Sequence, residues 1–385
     1  MRATFSISSD VLSWIMAQVR YDTLPAKVAQ SLQQWAAGVK QPTFNQIEAT
    51  SKATGIPLGY FFLQSPPTED VSLAQYRTID SLEIRNPSRE LIDTIHDMEL
   101  VQEWTREHLL SEGMTRLPFI GNLKAEKSPV RFAERMRELL NFRIDWYKDA
   151  YQISDSFRLF RKRISDIGVL VMMNGVVGNN THRALKINEF RAFAMVDNYA
   201  PLIFINAADS YSGRIFSLLH EFAHILIGEN SLYNDRFGGS RTSKNTEVIC
   251  NAVAAEILVP KSIFLIEWER ATQEMDSEKA IQTLAREFRC GRTVIARRAL
   301  DNGKIDSTIY QRIREFALRQ YTDNQKGSGG SYYLTAQSRI DQRFFRMLSA
   351  SVGEGKTLYS DAFRLTNTNR STFTTLLQQT GGAKE

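Results

Sequence analysis

Five histidines occur in 385 residues, and two of them frame a glutamate in the run His220-Glu221-Phe222-Ala223-His224. The surrounding stretch, 213–227, reads as a buried helix that Gly228 brings to a stop. Four residues is slightly more than one turn, so both imidazoles project from one face and can share a metal ion. Glu221, one position on, then lies beside the open coordination position, where a base must stand to take a proton from an attacking water. The competing reading is a core helix carrying two hydrogen-bonded histidines. Composition argues against it, because Ile215, Phe216, Leu218, Leu219, Phe222, Ala223, Ile225, Leu226 and Ile227 make this helix apolar nearly all round. Two imidazoles and a carboxylate are costly to bury there unless a cation compensates them.

Catalytic zinc takes three protein ligands and keeps a fourth position for water. No third histidine follows, and Cys250 and Cys290 are too far apart to read as a structural zinc pair. The largely apolar segment 245–260, closed by Pro260, reads as a second helix with two carboxylates, Glu247 in its first turn and Glu256 near its end. Periodicity alone does not choose between them. Glu247 is favoured because Asn251, one turn later on the same face, can support the ligand set.

The stretch from Arg214 to His224, followed by Glu247-x-x-Cys250-Asn251-x-x-Ala254-Ala255-x-x-Leu258-x-Pro260, resembles the ImmA/IrrE family of bacterial and phage metallopeptidases. Around its third ligand that family usually reads E-x-x-A-N-x-F-A-A-x-L-L-M-P. Glu247 falls on the ligand glutamate, while Cys250 and Val253 stand where Ala and Phe are usual. The resemblance implies Zn2+ held by His220, His224 and Glu247, with Glu221 as the catalytic base. It also implies endopeptidase cleavage of a partner Xre-type repressor, controlling mobile-element, phage or stress-response genes. Other members are encoded beside toxin genes, so a toxin is a second implied partner. The alternative function is a DNA-binding regulator or antitoxin that uses the peptidase fold for docking or sensing.

Trp35-Ala36-Ala37-Gly38, Gln41-Pro42-Thr43 and the run Gly55 to Leu63 are similar to the N-terminal Xre-type helix-turn-helix of the long members, and Tyr76-Arg77-Thr78 to their D-F-R-T box. The tail 327–377 resembles their C-terminal helical module.

The elements around these residues suggest an α+β chain, predominantly helical. The expected organisation is a helix-turn-helix-like bundle at 1–66, a helical connector at 67–150, a zincin-like metallopeptidase core with a small β-sheet at 151–322, and a linker with a C-terminal helical module at 323–385. In the bundle, Asp10 reads as the cap of one helix, and Thr43 as the cap of another that ends at Gly55. Only 21–32 remains for the paired helices of a DNA reader, and Leu24-Pro25 interrupts it. A recognition helix at 30–36 is therefore poorly presented, and docking or dimerisation competes with DNA binding. Helices are expected at 89–112, 128–141 and 155–167, strands at 169–173, 190–196 and 202–205, the last two as a hairpin. An exposed edge of that sheet can accept an extended substrate backbone. His96 and His108 read as surface residues, His182 as structural, and Tyr233 as a candidate for oxyanion stabilisation. After Pro260, helices at 280–288 and 294–299 suggest a packing role, and 321–333 a flexible linker.

The net charge of +5 permits nucleic-acid contact without demanding it. No apolar run approaches 18 residues, the first six residues lack a signal-peptide core, and two cysteines suit a reducing compartment. A cytoplasmic protein with no membrane partner is expected.

Overall fold

The computed structural model describes residues 3–19, 21, 24–67, 87–233, 244–323 and 332–381. The segment carrying Tyr76-Arg77-Thr78 lies outside the described residues.

Helices α1 (Ser9–Gln18), α2 (Ala26–Ala36) and α3 (Phe44–Thr54), with a 3-10 turn at Leu58–Phe62, enclose a small core of Val11, Ile15, Leu32, Trp35, Ile47 and Phe61. Thr43 and Gln46 form a reciprocal capping box at the start of α3, and Gly55 closes that helix in the left-handed region. The stretch 30–36, read as the recognition helix, is helical, as part of α2. Those residues are the second half of α2, whose Leu32 and Trp35 are buried in the bundle core. Asp10 lies inside the first turn of α1 and is not its cap.

The body of the molecule is organised by a four-stranded sheet in the order β1-β5-β4-β6, made of β1 (Leu170–Asn174), β4 (Ala192–Met195), β5 (Leu202–Asn206) and β6 (Ser231–Tyr233). β1 runs parallel to β5, and the other neighbours are antiparallel, with Met195 opposite Leu202 across the hairpin. β2 (Val176–Val177) and β3 (Asn180–Ala184) form a separate two-stranded ribbon. The strands read as unbroken apolar runs because both faces of the sheet are covered. On one face lie Val171, Met173, Ala192, Ala194, Ile203 and Ile205, together with the helices that carry the candidate chemistry. On the other lie Leu170, Met172, Phe193, Met195, Leu202, Phe204 and Leu232. Phe193 and Phe204 stack there at 5.1 Å and 12°.

The first of these faces is covered by α5 (Pro129–Leu140), α6 (Ile153–Asp166), α7 (Tyr211–Ile227) and α8 (Lys244–Leu258), continued by α9 (Lys261–Glu274), α10 (Ser277–Glu287), α11 (Arg292–Asp301) and α12 (Ser307–Asp323). The second is covered by α4 (Arg89–Ser111) and by the chain's last helices, α13 (Tyr332–Arg339), α14 (Gln342–Gly353), α15 (Tyr359–Thr366) and α16 (Arg370–Gly381). Segments distant in sequence thus share one apolar layer behind the sheet. The stretch expected to be a linker at 321–333 is helical at both ends, in α12 and α13, and its middle lies outside the described residues.

The β1 edge is closed. In a parallel pair the N–H and C=O of one residue point to the same side. Those of Val171 point away from β5, where its N–H donates to Asp341 Oδ2 at 3.1 Å and its carbonyl accepts from Arg161 at 2.8 Å. Arg161 also holds the carbonyl of Ile340, so two side chains tie the C-terminal helices to this strand and block strand addition there. The remaining edge of the sheet is β6.

Two glycines set the ends of α7. Gly213 lies so close to the Asp209 carboxylate that a side chain would collide with it, and it donates to the capping hydroxyl of Ser210. Gly228 adopts φ +81° at the other end, where its N–H meets His224 O at 2.8 Å. The chain at 121–123 crosses this end and donates from Gly121 and Leu123 to the last carbonyls of the helix. A Cβ on Gly228 would approach Gly121 Cα to 3.0 Å. Gly228→Ala is therefore expected to cost about 1–3 kcal/mol of stability, read as a lower urea midpoint with an unchanged slope.

Candidate metal centre

α7 and α8 pack side by side, and small residues, Ala223 and Ala254, contribute to the apolar core they share. His220 and His224 occupy one face of α7, and Glu247 the first turn of α8. The three side chains converge: His220 Nε2 lies 3.1 Å from Glu247 Oε2, His224 Nε2 lies 3.2 Å from Glu247 Oε1, and the two Nε2 atoms are 3.1 Å apart. A tetrahedral zinc with ligand bonds of about 2.0–2.1 Å has ligand atoms roughly 3.3 Å apart, so these separations match one face of its coordination shell. Both imidazoles are buried, while the Glu247 side chain is 28% exposed and marks the side open to solvent.

The donor set calls for a positive charge at its centre. His220 Nδ1 lies 3.1 Å from Asn251 Oδ1, an acceptor, so the ring carries its proton there and turns the Nε2 lone pair toward His224 and the Glu247 carboxylate. Lone pairs and a carboxylate facing one another in an apolar layer are stable only around a cation. In the metal-free chain a proton takes that role. Burial pushes the Glu247 carboxyl up, but the hydrogen bonds and charges of the two histidines outweigh it and hold Glu247 well below the ordinary carboxylate range. Burial pushes the His224 imidazole down, but the neighbouring Cys250 thiol and the Glu247 carboxylate outweigh it and raise it well above its ordinary value.

Glu221 is fully buried beside the triad and outside it. Burial raises its pKa, opposed by the nearby histidines and by a hydrogen bond from Ser231. Its Oε1 has no hydrogen-bond partner among the described residues. A buried carboxylate with one oxygen unsatisfied next to three convergent ligand atoms is equipped to accept a proton from a small reactant held there.

Glu256, the other carboxylate of α8, is elsewhere. Nine positions beyond Glu247 is two and a half turns, which places it on the opposite face. There it pairs with Arg298 at 2.9 Å and accepts the N–H of Lys261. His182 is exposed on β3 and forms no part of the cluster. His96 and His108, expected at the surface, are half-buried on α4, with His108 stacked on Trp104 at 5.0 Å. Tyr233 ends β6 opposite Ala192, and its side chain lies outside what the structure describes. Ser231 escapes the motif reading: neither its type nor its spacing marks it, and it reaches the cluster only because β6 folds back beside α7, whereas Cys250, which stands where the family usually has Ala, neighbours His224.

Glu247→Gln is expected to abolish metal binding, measured by elemental analysis of the dialysed protein. Glu256→Gln should keep the metal but lose about 3 kcal/mol of stability, since it strands Arg298 in a buried position. The pH dependence should differ with and without metal. A raised His224 contributes stability that is complete below its unfolded pKa near 6.5 and is lost as pH rises through the folded value, so the metal-free chain should melt lower as pH rises above about 6.5. Zinc binding requires deprotonated ligands, so the increment in melting temperature on adding zinc should grow over the same range.

Residues 165–300 match the family model described as IrrE N-terminal-like domain, and residues 340–379 match a domain of unknown function. The first match spans β1 to α11 and contains the whole His220, His224, Glu247 cluster, while the second covers most of the last three helices. No curated protein and no solved structure matches the chain. Across residues 165–300, therefore, this chain is similar to the metallopeptidases of the ImmA/IrrE type.

Proposed function

We propose that this protein is a zinc-dependent endopeptidase that controls gene expression by cutting a partner Xre-type repressor. The observation that carries the peptidase reading is the convergence of His220, His224 and Glu247 on one point, with a buried, half-satisfied Glu221 beside them. His220, His224 and Glu247 would hold the ion, with Asn251 fixing the His220 ring. When bound, zinc at such a site polarises a carbonyl and makes water acidic enough to ionise near neutral pH.

The chain's own residues account for the remaining steps. Glu221 takes a proton from the attacking water as the new C–O bond forms at the scissile carbonyl. It then returns that proton to the amide nitrogen as the C–N bond breaks. The buried surroundings of Glu221 keep bulk water from competing for that proton. With the β1 edge closed by Arg161 and Asp341, β6 is the edge that can receive an extended peptide backbone. The repressor as substrate follows from the family resemblance, as does a neighbouring toxin as another partner.

Glu221→Gln should retain one zinc per chain and lower the rate of repressor cleavage by about 10²–10⁴-fold. The assay uses a purified Xre-type repressor as candidate substrate, with a chelator-treated control. Equal cleavage by the variant and the wild type would remove Glu221 from the mechanism. Chelator-insensitive cutting would remove the metal.

A further inference from the structure

Beyond the motif, a side chain from outside α7 hydrogen-bonds the Glu221 carboxylate. After Gly228 reverses the chain, β6 returns alongside the helix it has just left. Its register is fixed by pairing with β4, Ser231 opposite Ala194 and Leu232 opposite Phe193, and by the Val196 N–H bonding Asn230 Oδ1 at 2.6 Å. Leu232 is buried in the layer behind the sheet, so strand alternation turns Ser231 to the opposite face, toward α7. There the buried Ser231 hydroxyl donates to Glu221 Oε2, and Glu221 Oε1 has no hydrogen-bond partner among the described residues.

We infer that Ser231 is the positioning residue of the base: its hydroxyl ties down Oε2, fixes the rotation of the carboxylate, and presents Oε1 as the oxygen that exchanges the proton. This rests on the peptidase reading of the same site and adds which oxygen acts and what aims it. A free carboxylate turns about its last torsion, which has only a broad, two-fold preference. Among the described residues no donor holds Oε1, so the hydroxyl on Oε2 selects the orientation. Ser231 also ties base and substrate edge together. It belongs to the strand at which an extended peptide would pair, so a substrate drawn onto β6 is registered against the base by one residue.

The test compares Ser231→Thr, which keeps the hydroxyl, with Ser231→Val, which keeps the shape and removes it. In protein labelled with 13C at the glutamate carboxyl carbon, the Glu221 resonance is the one lost in Glu221→Gln. It should move in Ser231→Val and return toward the wild-type position in Ser231→Thr. In repressor cleavage, Ser231→Val should lower kcat roughly 10–100-fold with little change in KM or zinc content, and Ser231→Thr should recover most of that loss. A purely structural hydroxyl would instead lower zinc retention and melting temperature alike. An unmoved resonance, or equal kcat in the Thr and Val variants, overturns the inference. If wild-type protein cuts nothing while the resonance behaves as stated, the contact stands and the peptidase reading fails.

Discussion

Two imidazoles and two carboxylates inside an apolar helix layer are the constraint around which the rest of this molecule is arranged. Separately, each is expensive to bury. Brought within 3.1–3.2 Å of one another, His220, His224 and Glu247 turn that cost into a demand for a cation. α7 is pinned at both ends and α8 at its C-terminal end. Ser210, Gly213, Gly228 and the strap at 121–123 hold α7. Trp146, donating to Ile257 O at 2.8 Å, and the Arg137–Glu256–Arg298 group hold the end of α8. A shift of a fraction of an ångström between the two helices would separate the ligand atoms, and dense packing resists such shifts.

The sheet serves this arrangement from behind. Ala192 and Ala194 face the helix layer from the strand next to β6, whereas the bulky Phe193 and Met195 of the same strand face the other way. The asymmetry lets α7 lie close to the sheet while the aromatic side chains anchor α4 and the C-terminal helices. Those last helices include the region matched to a domain of unknown function, and they do more than append to the body. Through Arg161 and Asp341 they close one sheet edge, which leaves β6, the strand carrying Ser231, as the other.

Among the described residues no single helix is long and apolar enough to cross a membrane. The bent pair formed by α8 and α9 has the composition for it, yet Val253, Ala254, Ile257, Leu258, Phe264 and Trp268 are all spent in the core beside the candidate metal centre.

How much of this could be read beforehand depended on range. Local signals were legible: the four-residue spacing of His220 and His224, Gly228 as a stop, the capping residue Thr43, and the hairpin between 190 and 205 all act within one or two turns of chain. The choice of Glu247 over Glu256 drew on Asn251 one turn later, with the family pattern in support, since both carboxylates lie on one apolar helix and periodicity does not say which face meets α7. In the N-terminal bundle the helix at 30–36 was legible, but not that it begins at Ala26 or that Leu32 and Trp35 face the bundle core. The contacts of Ser231, Cys250, Arg161 and Asp341 were invisible, because each joins segments distant in the chain or turns on how a strand folds back.

By itself, then, the sequence determined the candidate ligand types, their spacing on α7 and the apolar setting that calls for a compensating positive charge, since these follow from helical periodicity and desolvation. Only the tertiary structure decided which carboxylate joins the two imidazoles, which sheet edge the C-terminal helices close and what holds Glu221 in place. Those depend on the relative placement of separately formed elements, and a one-residue change of strand register or a half-turn of a helix would reverse each outcome.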